Sequence, residues 1–158
     1  LQGHDMGLVS EAGMPAIADP GSSVVRAAHD LGLQVVPLAG PMSLVMALAA
    51  SGLNGQNFAF VGYLPQDAGE RSQRIRELES IALKTGQTQI FIETPYRNTV
   101  LLGALLQTLS SNTRLALSCG LTLEAAWSRS AQVSVWKSKR DEKLGAPLAL
   151  PTVFCIGR

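Results

Sequence analysis

The run Phe58-Ala59-Phe60-Val61-Gly62-Tyr63, together with the segments that follow it as far as Cys119, decides the fold class. Phe58 to Tyr63 reads as a strand. Asp67 to Thr85 reads as a helix in which Ile75, Leu78, Ile81 and Ala82 form a core stripe three to four residues apart while the other face is charged. Thr88 to Glu93 is a second strand, Asn98 to Leu109 a mostly apolar helix, and Arg114 to Cys119 a third strand. The order β-α-β-α-β favours helices layered on a sheet, an α/β fold. Composition agrees: aromatic residues are only 5%, so the core is built from Leu, Val, Ile and Ala, which suits helices packed on a largely buried sheet.

Upstream, Asn54-Gly55-Gln56-Asn57 is a polar break at which the texture changes from small apolar residues to an amphipathic pattern, and a domain boundary is expected there, between residues 1–55 and 57–158. Before it, Met6 to Ser10 reads as the end of a buried strand, and Glu11 to Gly21 as an irregular loop rich in Gly and Pro. Val24, Val25, Ala28 and Leu31 then fall at helical spacing, with Asp19 or Ser22 as cap and Gly32 as stop. Leu33 to Leu38 reads as a short buried strand, and Met42 to Ala50 as a buried helix ended by Gly52. Downstream, Gln132-Val133-Ser134-Val135 alternates as a strand does, Lys137 to Lys143 reads as a solvated loop, and Thr152 to Ile156 is a final strand. The opening Leu1-Gln2-Gly3-His4-Asp5 has the look of a cut from something longer.

Several function classes drop out early. Hydrophobic residues make up 46% and charged ones 16% of the 158, which excludes disorder by low hydropathy. A net charge of +1 sets up no overall field for nucleic acid or acidic lipid. Every long apolar run is broken by Pro or Gly, so no membrane partner is expected and a cytoplasmic protein follows. Cys119 and Cys155 stand far apart without CxxC spacing and read as core thiols, and no metal-ligand cluster occurs. His4 and His29 read as solvated. Phosphate-loop, dinucleotide, zinc-hydrolase and serine-hydrolase motifs are all missing.

Three strand exits hold the remaining candidates: Ser10-Glu11-Ala12-Gly13-Met14-Pro15, Ala39-Gly40-Pro41-Met42-Ser43 and Glu93-Thr94-Pro95-Tyr96-Arg97. In an open α/β sheet ligands bind just beyond the carboxyl ends of strands. Gly13 allows a ligand to approach the backbone closely, and Pro15 fixes the next bend. A plain β-α connection is the alternative for this loop. Glu93 to Arg97 gathers a carboxylate, a hydroxyl, a ring and a guanidinium at one exit. In the charged helix, Arg71, Arg74 and Arg76 alternate with Glu70, Glu77 and Glu79, a pattern of a solvated face that also permits phosphate contacts.

The order LVSEAGMPAIADPG (8–21), PLAGPMSLVMALAASGL (37–53), FVGYLP (60–65) and FIETPYR (91–97) resembles the tetrapyrrole-methylase superfamily, the class III S-adenosylmethionine-dependent methyltransferases. The nearest branch is the ribosomal RNA small-subunit methyltransferase I group. The resemblance implies a two-domain α/β architecture, here a partial N-terminal domain plus a complete C-terminal α/β domain with a mixed sheet. It also implies S-adenosyl-L-methionine as cofactor, held between domains, and a homodimer. The family's opening strand and its glycine loop have no counterpart in this sequence. By position, Gly13, Met14, Pro15, Ile17, Met42, Ser43, Thr94, Pro95 and Tyr96 match cofactor-side residues, while Arg71, Arg74 and Arg97 are the candidates for substrate contact. Glu11 stands for the usual Asp, Met14 for Thr and Met42 for Ser, which leaves the weight on backbone contacts. The implied acceptor is a ribosomal RNA ribose hydroxyl or, alternatively, a tetrapyrrole carbon. A further alternative is a non-catalytic structural or dimerisation piece. No residue is assigned as catalytic. Glu11 and Glu93 are the carboxylates placed to aid deprotonation.

Overall fold

A computed structural model describes residues 3–138 and 145–158. It parts into two compact units, residues 1–42 and 43–158. The seam falls between Met42 and Ser43, upstream of the polar break at 54–57.

In the first unit, helix α1 (Ser22–Asp30) starts after Gly21, which has no side chain to cap it, so the cap expected from Asp19 or Ser22 does not form. It ends where expected: Gly32 is left-handed (φ 67°), its N–H donates to His29, and the N–H of Leu33 donates to Ala28, a Schellman closure. None of the helix's residues is buried. The strands expected at Met6–Ser10 and Leu33–Leu38 do not form, and Val9, Val36 and Leu38 lie exposed. Hydrophobic residues alone do not make a strand. Its N–H and C=O groups need a neighbouring ladder, and the described residues of this unit supply none.

The second unit opens with α2 (Ser43–Ser51), closed by left-handed Gly52. There follow β1 (Phe58–Tyr63), α3 (Ala68–Thr85), β2 (Thr88–Glu93), a 3-10 turn at Pro95–Arg97, α4 (Asn98–Thr108) and β3 (Arg114–Cys119). Then come β4 (Trp127–Gln132), α5 (Val133–Ser138), α6 (Gly145–Leu148) and β5 (Thr152–Gly157). The sheet order is β1-β2-β5-β3-β4. β1 and β2 are parallel, while β5 runs antiparallel between β2 and β3 and β3 pairs antiparallel with β4, so the sheet is mixed as expected.

Register sorts the two faces. Phe91, Phe154 and Leu117 lie in line across β2, β5 and β3, and they join Ile75 and Leu78 of α3, Leu101 and Leu105 of α4 and Trp136 of α5 in the main core. The Phe91 and Phe154 rings stack at 5.8 Å. Ile90, Cys155 and Ala116 align on the other face, where α2 packs against β3, β4 and β5. Small residues let it come close: a Cβ at Gly157 would lie 2.9 Å from Leu53 Cδ2.

Two expectations are corrected here. Ile81 is 38% exposed, and Arg71 and Glu79 take up the buried face of α3 instead. Both are stabilised by polar partners, for the Glu79 carboxylate accepts from the N–H of Ser110 (2.8 Å) and from the Thr113 hydroxyl. The alternation at 132–135 is not a strand, because the chain leaves β4 at Gln132 and turns into α5, burying Val133 and Trp136 at i,i+3. The solvated loop expected at Lys137–Lys143 falls largely outside the described residues. Both cysteines are free and buried, and burial pushes the Cys119 thiol up and the Cys155 thiol to about 12.

Candidate functional site

The first candidate loop folds on itself. The Ser10 hydroxyl donates to the carbonyls of Ala12 (3.2 Å) and Gly13 (3.1 Å), the Ile17 N–H to Met14 (3.4 Å), and the Ala16 N–H to Pro20 (3.3 Å). Gly13 is left-handed (φ 76°), and a Cβ built on it would stand 3.9 Å from the Pro41 carbonyl oxygen. The structure therefore brings the Gly13 turn and the Gly40-Pro41 bend together within the first unit. Among the described residues, the N–H groups of Gly13 and Met14 have no partner. Two free N–H groups beside a residue without a side chain can take a carboxylate or carbonyl oxygen. Ala16 (φ 65°) and Ala18 (φ 56°) are also left-handed, each at a cost of ~1 kcal/mol for a residue with a Cβ. Met14 and Pro15 are half-buried, while Glu11 and Ile17 are exposed.

In the second unit, Ser43 opens α2 and is exposed. The Glu93–Arg97 exit is built around a buried carboxylate. The Glu93 carboxylate is buried, with a side-chain exposure of 2%, and both its oxygens are engaged. Oε1 accepts from the Thr94 N–H (2.8 Å) and hydroxyl (3.3 Å), and Oε2 pairs with Arg97 Nη2 at 2.9 Å. Tyr96, between these partners in sequence, is 81% exposed.

Beneath this turn sits Asn98, which sequence reading passed over. It is fully buried, and its side-chain nitrogen reaches the carbonyls of Leu148 and Leu150 at 2.9 Å and the Thr152 hydroxyl at 3.1 Å. Its Oδ1 has no partner among the described residues. The only sequence signal was an amide opening an otherwise apolar helix.

The arginines separate. Arg71 is 9% exposed and its guanidinium donates to the Gln66 carbonyl (2.8 Å) and the Pro65 carbonyl (3.5 Å), holding the turn that leads into α3. Arg74 pairs with Glu77 at 3.2 Å on the solvent face, where such a pair contributes little. Arg74 and Arg76 line a shallow groove there with Gln73, Ser80 and Ile81. No grouping of metal-ligating side chains occurs among the described residues, and no described helix is long and apolar enough to cross a membrane.

Comparison with known proteins bears out the resemblance drawn from the motifs. The chain is similar to ribosomal RNA small subunit methyltransferase I of Mesorhizobium japonicum, 38% identical over 120 residues that make up 76% of this chain and 40% of the relative. It is likewise 38% identical over 122 residues to the protein of that name from Vibrio cholerae, covering 77% and 41%. The aligned part thus spans about 40% of the length of these relatives. Among solved structures it is similar to the methyltransferase CobJ, with a TM-score of 0.57 and 15% identity over 92% of this chain and 62% of that one. It is also similar to uroporphyrin-III-C-methyltransferase from Thermus thermophilus, with a TM-score of 0.52 and 21% identity over 92% and 60%. At such identities the likeness is one of fold, and it is the α/β architecture expected. No family model matches the chain.

Proposed function

We propose that the chain is part of a class III S-adenosylmethionine-dependent methyltransferase of the tetrapyrrole-methylase superfamily, acting on a ribose 2′-hydroxyl of ribosomal RNA. The observation that carries this is the 38% identity over 120 residues to a relative named for ribosomal RNA. The cofactor supplies a methyl group on a sulfonium, already activated, so the work left to the protein is alignment and exclusion of water.

The residues present fit that cofactor. The free N–H groups of Gly13 and Met14 suit its carboxylate, and Gly13 presents no side chain to obstruct the approach. Pro15, Ile17, Met42 and Ser43 are proposed to contact it, as are Thr94 and Pro95. Arg74 and Arg97 are proposed to meet the RNA backbone, and Arg71 acts beneath the surface by fixing the turn before α3. Glu93, with both oxygens engaged, holds its turn in place, which leaves Glu11 as the carboxylate free to aid deprotonation. On the same resemblance the working form is a cytoplasmic homodimer, which sedimentation of the protein tests.

Tetrapyrrole C-methylation is the second reading, favoured by the fold shared with uroporphyrin-III-C-methyltransferase. It ranks lower because that likeness extends to the fold alone. Calorimetric titration of the chain with S-adenosylmethionine tests the cofactor assignment. Saturable micromolar binding is expected, and no heat at all would favour a structural or dimerisation piece instead.

A further inference from the structure

Tyr96 is the least explained residue of the second unit. An aromatic ring left 81% in water forgoes the burial that usually stabilises such a side chain, yet the backbone that carries it is tightly held. The Glu93 carboxylate, itself buried, grips the turn from both ends through the Thr94 N–H and the Arg97 guanidinium. The Arg97 N–H closes back on the Thr94 carbonyl at 2.9 Å. One residue on, Asn98 anchors the start of α4 to three acceptors in residues 148–152. A ring displayed on a fixed support loses little entropy when something stacks on it. Arg97 meets Glu93 through Nη2 alone, so its remaining donors have no partner among the described residues, and its side chain is 22% exposed. A three-residue turn thus offers a flat apolar face and unspent guanidinium donors, the pair of chemistries that unpaired nucleotides take up through base and phosphate.

We infer that Tyr96 is a stacking platform for an unpaired base of the RNA acceptor, with Glu93 and Asn98 as the positioning residues that hold it. This rests on the ribosomal RNA reading above and moves Tyr96 from the cofactor to the acceptor.

The test uses the whole chain in two titrations, one with a short fluorescein-labelled single-stranded RNA followed by polarisation, the other with S-adenosylmethionine followed by calorimetry. Tyr96→Ala should weaken RNA binding about ten-fold or more, Tyr96→Phe should retain it, and cofactor affinity should stay the same in both. Replacing the RNA by an abasic strand of equal length should erase the difference between wild type and Tyr96→Ala. Because the ring is exposed, folding does not depend on it. Equal RNA affinity in Tyr96→Ala, a parallel loss of cofactor affinity, or an RNA-inert wild type that still binds S-adenosylmethionine would each overturn the assignment and leave the methyltransferase reading standing. A wild-type chain that takes neither ligand would overturn both.

Discussion

Gly103 and Gly120 respond in opposite directions to the same added methyl group. Gly103 lies within α4 with nothing within 4 Å of where a Cβ would sit, so Gly103→Ala should stabilise the protein by about 0.5–1 kcal/mol through the backbone freedom it removes from the unfolded chain. Gly120 is left-handed (φ 59°), and its Cβ would stand 2.7 Å from Leu150 Cδ1. Gly120→Ala should cost about 1–3 kcal/mol. Urea melts of the two variants check both signs, and a Gly120→Ala variant as stable as wild type would refute the packing described at Leu150. Asp67 makes a second residue-level case. Its carboxylate caps α3 by accepting from the N–H groups of Gly69 (2.8 Å) and Glu70 (2.9 Å), and these bonds hold its pKa below the ordinary 3.8. A group lowered on folding contributes stability above its unfolded pKa and loses it as pH falls through the folded one. Asp67→Ala should therefore melt earlier than wild type at about pH 7, with the gap narrowing towards about pH 3. The sequence expectation counted Asp67 as the first residue of the helix, whereas it stands just before it as the cap, acting on its own next two or three residues. Glu79 was not readable in the sequence, because its partners Ser110 and Thr113 lie some thirty positions away.

At the scale of elements, Asn98 joins α4 to the segment entering β5. Asn98→Leu would leave the buried Leu148 carbonyl without its donor, while the Leu150 carbonyl keeps the Thr152 hydroxyl, at about 1–3 kcal/mol in all. A thermal melt measures the loss, and a shift no larger than that of an exposed substitution such as Thr99→Ala would count against the anchor. The elements that sequence reading placed correctly, β1 to β3, β5 and the helices α1 to α4, share strong periodicity or clear punctuation, as at Gly32 and Gly52. β4 escaped because Ser128, Ser130 and Gln132 make its sequence read as polar loop. Only its pairing with β3, Cys119 facing Trp127 and Leu115 facing Ala131, makes it a strand. The neighbouring Val133-Ser134-Val135 misled for the complementary reason: a period of two over so few residues cannot be told from part of a helical i,i+3 pair without Trp136.

For the molecule as a whole, the two units should differ in how they open. β2, β5 and β3 have backbone partners on both sides, whereas residues 3–42 form no ladder and α1 has no buried side chain. Hydrogen exchange should find amides outside α1 in the first unit exchanging at least about 100-fold faster than those of β5, and equal protection would contradict the division. This is also where sequence reading reached its limit. The apolar runs at 6–10 and 33–38 carry the composition of strands, but composition does not say which chain will pair with them. The Gly13 loop remained legible there, since glycine and proline shape a turn locally.

The placement of β5 bears on the order in which this fold can be made. A parallel β1-β2 ribbon and a β3-β4 hairpin can each assemble as soon as their residues emerge from the ribosome, but no strand ladder joins them until Thr152–Gly157 slots between. During synthesis β2 and β3 would wait with facing edges open, vulnerable to pairing with other nascent chains, and chaperone demand should fall away once that insertion is complete.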